Sequence, residues 1–555
     1  MTHKAAWVHE GLLLTTLRRL LRRLLHLRRV PGDLRLVTKI RSALLWLVDA
    51  FPQVHPFLED CSGDEAIAVV ESLITAEVSQ QKTLALRKWR NEVEGDVAAQ
   101  RAWIKRRARV EVDAACPAQP PVEAMRRAAH PAVVVEAAAL EWGARWTRPP
   151  SVPIAAASRI FEAVPQRPAS RLDLRCTGQE LRAINKAMLG KSAGPDSWTP
   201  EMFAMLPDPF WNCFAELWLT IASSAKVPAM WRRARVALLD KPRGGFRPLS
   251  ILCLGWRVGA KWFLSHLGTW VGSWADHMTL GGLRGRCAKD LLAQLLAAAE
   301  DDQHVIAQDL EKYFDGILID HLEVALLRLG APPELLALTQ ALYGDHWRVF
   351  SRDGVLGDRW IRCSRGIAQG CPMSPLLAGV LMVGWSSWVA CSSATALSFF
   401  DDRYMIGDRA SVLLEAKRRS DEYDAALLFR CDPKKCGLAS SSCGAEGPRL
   451  ATQLGYEHKP QLEALGIVID FEKAVAPSLA RFSLVSARRR LRLIRCVACY
   501  LQHRRMHIKS MVTPLFSWAG AFAIIPEADA LSLRREALYF GKELLVDTPP
   551  CVLLE

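Results

Sequence analysis

Apolar and polar positions follow two different rhythms along the 555 residues, and the change between them divides the chain. From Leu12 to Arg29, leucines recur at helical spacing with arginines paired at 18 and 19, 22 and 23, and 28 and 29, which predicts a strongly basic helix. Residues 35–112 keep the helical period and carry a second basic cluster, Arg101, Lys105, Arg106, Arg107 and Arg109, beside Trp103. Prolines then take over, at 117, 120, 121, 131, 149, 150 and 153, so residues 115–170 read as a linker with one short helix. The helical period resumes at Gly178 and runs to about Leu189. A turn through Lys191, Gly194, Pro195 and Asp196 follows, with a helix restart at Thr199, Pro200 and Glu201.

Beyond that point strand patterns appear. Val236, Leu238 and Leu239 lead into a turn at Gly244 and Gly245, flanked by Lys241, Arg243 and Arg247, and a second strand leaves through Leu249 and Ile251. Val305, Ile306 and Ala307 form a short run of the buried-strand type that ends at Asp309. In Cys363–Met382, Gly366, Gly370 and Pro372 enforce an irregular loop open to close backbone approach, and Ser374 with Pro375 is expected to cap a helix reaching about Trp388. Leu397, Phe399, Phe400, Tyr404 and Ile406 are strand formers on either side of Asp401 and Asp402, which predicts a hairpin with two carboxylates at its tip. An Asp pair is also good turn chemistry, so this pair does not by itself specify a metal site.

Charge sharpens the picture. The formal net charge is +14 and unevenly spread: residues 1–50 hold ten Lys/Arg against three acids, and residues 481–520 hold nine and no acid. A polyanionic partner, most simply nucleic acid, follows from that balance. The Leu12–Arg29 helix admits three readings: an Arg-rich organelle presequence, a helix lying on a nucleic-acid backbone, or an ordinary amphipathic helix. Fifteen scattered cysteines form no disulfide framework and suit a reducing compartment, nuclear or cytoplasmic. The most apolar stretch, Leu376–Cys391, is interrupted by Gly384, Ser386 and Ser387 and is too short to span a bilayer comfortably, so no membrane association is expected.

The order of these segments resembles the reverse transcriptase family, in its non-LTR (LINE-like) retrotransposon branch. Asp309 with Phe314 and Asp315 looks like the first palm motif, RGIAQGCPMSP like the second, and FFDD like the YxDD-type third. DPKKCG (432–437) is similar to the lysine-bearing fourth motif, and LEALGIVI (462–469) to the element that grips the primer. Upstream, Lys241 and Arg247 fall at the fingertip cations, and SAGPDSWTPEM resembles the APGPDG-type segment. Together these cover roughly residues 175–475 in the family's order.

The resemblance implies an α+β right-hand polymerase fold, with a helical basic region at 1–114, the linker at 115–170, fingers at 171–300, an antiparallel palm at 301–475 and a thumb-like helical region at 476–555. It implies an RNA-directed DNA polymerase that takes an RNA template, a DNA primer and deoxynucleotides. Asp309 and Asp401 would hold two Mg²⁺ ions (or Mn²⁺), with Asp402 in support. Lys241 and Arg247 would pair the triphosphate, and Gln369 beside Gly370 would contact the incoming nucleotide. Phe314 would reject a 2′-hydroxyl, and Lys434 or Lys435 would protonate pyrophosphate. Two departures stand out: Phe400, bulkier than usual before the acid pair and expected to press on the primer terminus, and Tyr313, where Ala is frequent. The competing reading from another class is a domesticated nucleic-acid-binding protein that keeps the fold without catalysis.

The basic region Ala487–Ser510 fits a thumb helix along the template–primer backbone. Within it Cys496, Cys499, His503 and His507 share one helical face, a spacing that suits packing better than zinc, whose ligands usually come from two elements. No segment resembles an endonuclease or a CCHC knuckle, so target-primed integration by this chain alone is not expected.

Overall fold

The computed structural model describes residues 3–538 apart from 30–32, 62–63, 94–95, 102, 105–130, 242–244, 276–277, 284, 442–445, 473–477, 480, 498–500 and 518–526. The chain divides into two compact units: residues 1–107 with 493–507, and residues 108–492 with 508–555.

In the first unit the leucine spacing does what it predicts. Leu17, Leu20, Leu24 and Leu27 lie on one face of the helix His3–Arg29, fully or nearly buried against Ile40, Leu44 and Leu47 of the helix Leu34–Leu47. Asp33 caps that second helix, its carboxylate accepting from the backbone N–H of Arg35 and Leu36. Arg18, Arg19 and Arg22 face solvent. A third helix, Asp64–Val93, adds Ile67 and Val70 to the same core. His507 is buried and its Nε2 meets Gln100 Oε1 at 3.0 Å. Cys499, one member of the Cys/His face, lies outside the described residues, and among those described no three Cys, His, Asp or Glu side chains form a metal-holding cluster.

Among the described residues the second unit has thirteen strands in chain order: β1 (Arg233–Asp240), β2 (Phe246–Leu252), β3 (His304–Asp309), β4 (His346–Arg352), β5 (Val355–Leu356), β6 (Ile361–Cys363), β7 (Thr395–Phe399), β8 (Asp402–Gly407), β9 (Gly437–Ala439), β10 (His458–Lys459), β11 (Gln461–Ala464), β12 (Ile467–Asp470) and β13 (Ser478–Leu479). One sheet has the order β2-β1-β4-β5 with β6 on β4, the second β10-β9-β3-β8-β7, and the third β11-β12-β13.

The second sheet is the centre of the fold because both its faces are covered. Val305, Leu397, Tyr404 and Ile406 pack with Leu291, Leu292 and Leu295 of the helix Ala288–Glu300. Ile306, Ala396 and Met405 point the other way into the main core, with the helices Ser374–Ala390 and Ala410–Leu427. Alternate residues of one strand therefore enter two cores, which is why the Val305–Ile306–Ala307 run is apolar without alternation. The helix Ser374–Ala390 is buried almost along its whole length, and a Cβ at Gly384 would stand 2.4 Å from the Phe161 ring. No described helix is long and apolar enough to cross a membrane.

Two local expectations differ from the structure. Ser374 is fully buried inside the helix start, where its hydroxyl donates to the Ala368 carbonyl at 2.8 Å and provides no cap. The stretch read as a linker carries two helices that belong to the body. Pro131–Arg145 buries Val134, Val135, Ala138 and Trp142 against Val236, Leu238 and Phe350, and Ile154–Phe161 buries Ile160 and Phe161 in the main core. Pro131 stands in the first turn of its helix, and Pro153 immediately before the other, where a missing N–H costs nothing.

Candidate active site

β3 and β8 pair antiparallel with Asp309 directly opposite Asp402, and the β7–β8 turn puts Asp401 beside them. Two backbone bonds hold this corner: Leu310 N–H donates to the Asp401 carbonyl at 3.1 Å, and Asp432 N–H to the Asp309 carbonyl at 2.9 Å. The turn needs a left-handed residue, and Phe400 takes it at φ +60°. Its ring lies over Gly282, where a Cβ would meet it at 2.7 Å, and is tilted against Phe314 at 5.9 Å. The glycines of Met278–Leu283, a segment that pairs along β7, thus absorb the bulk expected to press on a primer end. Tyr313, the other departure, is buried and donates to the Ala378 carbonyl at 2.7 Å.

Asp309, Asp401 and Asp402 face a cavity of about 720 Å³ together with Lys241, Arg247, Phe314, Gln369 and Lys435. Lys241 and Arg247 arrive on the β1–β2 hairpin, where Arg247 pairs in register with Leu239; Arg243 lies outside the described residues. Gly370 shapes the wall from behind: at φ +122° its Cα hydrogen points at Ser250, and a Cβ would be 2.2 Å from the Ser250 carbonyl oxygen. Ser250 N–H donates to the Gln369 carbonyl at 2.7 Å, tying β2 to this loop.

The structure separates two lysines that are adjacent in sequence. Lys435 Nζ donates to both carboxylate oxygens of Asp309, at 2.8 and 2.9 Å; burial alone would lower its pKa, and this bond together with the charges of Asp309, Asp432 and Asp401 holds it above the usual lysine value. Lys434 faces a neighbouring cavity of about 450 Å³, shared with Asp402, Gln461 and the Leu465–Gly466 turn of the β11–β12 hairpin. That turn has positive φ at both residues, 48° and 85°, as a tight two-residue hairpin requires.

A buried partner set escaped the sequence reading. Asp315 is 3% exposed and accepts from Trp146 Nε1 at 2.8 Å and from Gln369 Nε2 at 2.9 Å, with Arg348 at 3.8 Å. Burial raises its pKa, and Arg348 and Trp146 partly offset the rise. The amide of Gln369 is therefore oriented before any ligand arrives. Trp146 precedes the palm motifs by more than a hundred residues, and nothing local in the sequence marks it.

Burial, then the neighbouring carboxylates, pushes Asp402 up to about 7; burial, then Asp309, also raises Asp401. The sign follows: between the ordinary 3.8 and about 7 the folded chain keeps the Asp402 proton that the unfolded chain has lost, so stability falls as pH rises through that window. Asp402→Asn is expected to raise the Tm of the metal-free protein at pH 8 and to leave it unchanged below pH 4, as thermal unfolding across pH would show.

The donor set suits a hard divalent cation: carboxylate oxygens from two strands, with two acids destabilised by burial and by each other. Among the described residues no three such groups close round one point. The residues therefore fit an ion completed by substrate phosphate oxygens, the usual arrangement for Mg²⁺, and not a cage built by protein alone.

Residues 239–469 match the family described as reverse transcriptase (RNA-dependent DNA polymerase). It is over that segment that the chain is similar to reverse transcriptases. The retrovirus-related Pol polyprotein from type-1 retrotransposable element R2 of Nasonia vitripennis is 24% identical over 330 residues, which cover 53% of this chain and 31% of that one. The chain spans about a third of that relative's length. Among solved structures, apo telomerase from Candida Tropicalis overlaps 59% of this chain and 67% of its own at 11% identity and a TM-score of 0.35. The Candida Tropicalis telomerase in complex with a TWJ fragment of telomeric RNA overlaps 57% and 58% at 11% and 0.36. The reverse transcriptase match begins on β1, at Leu239, and ends on β12, at Ile469, so it contains every carboxylate of the site and neither Trp142 nor Trp146.

Proposed function

We propose that this chain is an RNA-directed DNA polymerase of a non-LTR-type retroelement, adding deoxynucleotides to a primer 3′-hydroxyl on an RNA template. One observation carries the reading: Asp309 and Asp402 face each other across the β3–β8 ladder, Asp401 stands on the adjoining turn, and a cationic hairpin with Lys241 and Arg247 shares their cavity. Asp309 and Asp401, supported by Asp402, would hold two Mg²⁺ ions. When bound, these would lower the pKa of the primer hydroxyl and neutralise charge on the leaving pyrophosphate.

The protein's own groups do the rest. Lys241 and Arg247 pair phosphate oxygens. Gln369, steadied by Asp315, meets the incoming nucleotide. Lys435, next to the reacting end, is the proton donor to pyrophosphate, and Lys434 stands by the primer-side cavity. The same reading puts the chain in the nucleus or cytoplasm. A non-catalytic nucleic-acid-binding protein is the less favoured alternative, because a fold kept only for binding has no need of two desolvated carboxylates beside a third in one cavity.

Primer extension on poly(rA)/oligo(dT) with Mg²⁺ tests the proposal, and absence of incorporation by the intact chain across salt and metal conditions would overturn it. Phe314, which faces the cavity and is braced by Phe400, is the sugar gate. Phe314→Ala is expected to raise ribonucleotide relative to deoxynucleotide incorporation by about ten- to hundred-fold; unchanged sugar selectivity would remove that role.

A further inference from the structure

The cavity holds a cation that the fingertip hairpin does not supply. Lys312 closes the turn after β3 in the left-handed region, φ +50° and ψ 43°, a conformation that costs a lysine about 1 kcal/mol and persists where surroundings enforce it. Backbone bonds from Asp315 and Gly316 N–H to its carbonyl hold the turn, and Trp142 holds the side chain: the Lys312 ammonium sits 3.7 Å from the centre of the indole ring. Trp142 is buried on the helix Pro131–Arg145, outside the segment that matches the family. Arg145, on the same helix, lines the cavity beside Lys312.

Trp146, just past that helix, clamps the other side of the same turn through its 2.8 Å bond to Asp315, and is itself stacked on Phe350 and covered by Arg348. Two tryptophans four residues apart thus grip residues 312 and 315 of the first palm motif. An aromatic face holds an ammonium without cancelling its charge, whereas a carboxylate would cancel it. Burial, then Arg145 and Lys241, lowers the Lys312 pKa to about 8, as expected for a cation among cations awaiting an anion.

We propose that Lys312 is a binding residue for the triphosphate of the incoming nucleotide and that Trp142 is its positioning residue. The assignment rests on the polymerase reading for the identity of the nucleotide, but not for the anion chemistry. Ring and ammonium act as one device: removing the ring frees the lysine to swing away, and removing the lysine leaves the ring with nothing to hold.

The test measures binding of inorganic tripolyphosphate to the full chain by calorimetry without divalent metal, alongside dTTP kinetics on poly(rA)/oligo(dT). Lys312→Met is expected to weaken tripolyphosphate about tenfold and to raise KM for dTTP by a similar factor, while kcat changes less than about threefold. Trp142→Leu should cost about threefold in binding, and Trp142→Phe should restore most of it. The double variant Trp142→Leu/Lys312→Met should be no worse than Lys312→Met alone, since coupled residues are not additive.

Unchanged binding and KM in Lys312→Met, or a double variant equal to the product of the singles, would overturn the proposal. Trp142 is buried, so Trp142→Leu is read only if its thermal unfolding stays cooperative; Lys312→Met decides the matter by itself. Lys312-dependent tripolyphosphate binding without any primer extension would remove the polymerase reading and leave this one standing. Extension by Lys312→Met with unaltered KM would do the reverse.

Discussion

Asp401→Ala is expected to abolish primer extension, by at least about 10³-fold, while the protein stays folded. The backbone of Asp401 accepts from Leu310 N–H whatever its side chain, so the β7–β8 turn survives the substitution. The change also removes a neighbour whose charge raises the Asp402 pKa, which makes the metal-free variant at least as stable as the natural chain. Inactivity therefore could not be blamed on misfolding. Single-turnover extension beside a thermal unfolding curve checks both halves. A variant that keeps a tenth of the natural rate would show that Asp401 holds nothing the reaction needs, and the site as drawn would fail.

The largest effect on stability is expected one residue past the acid pair. Arg403 has a side chain 0% exposed, bonded to both carboxylate oxygens of Asp424 at 2.7 Å and lying over the Trp385 ring. Arg403→Met would leave the Asp424 carboxylate, 12% exposed, without its counter-charge, at a cost of about 3–5 kcal/mol. Replacing both partners with apolar residues of similar volume removes the buried charge altogether, so Arg403→Met/Asp424→Leu should recover most of that loss. Urea titration of Arg403→Met, Asp424→Leu and the double variant gives the coupling energy directly. A double variant as unstable as the sum of the singles would mean the two groups are not paired in solution. Because Arg403 anchors β8 beside Asp402, loss of the pair should also loosen the ladder that holds Asp309 opposite Asp402.

The elements of the site were legible wherever chemistry and local geometry coincide. Asp309 at a strand end and Asp401 and Asp402 on a hairpin follow from residue type and short-range pattern, as does the irregular loop at Gly370, although what approaches that glycine closely is the Ser250 backbone. Proline content misled at 131–161: prolines at or just before a helix start look the same in sequence as prolines in a spacer, and only burial of Trp142 and Phe161 distinguishes them. Ser374 misled for a related reason, since a hydroxyl at a helix start serves as a cap or as a buried donor depending on what packs above it.

By itself the sequence determined which residues carry charge to the site and in what order along the chain. Period-two and helical patterns are local, and the carboxylates sit at the ends of the segments those patterns define. Tertiary structure alone decided which of two adjacent lysines reaches Asp309, that Gly281 and Gly282 make room for Phe400, and that Trp142 and Trp146 close on the turn at 312–315. Each of those contacts joins residues more than a hundred positions apart in the chain. A pairing across such distances depends on how the sheets and helices stack, and no local pattern encodes it.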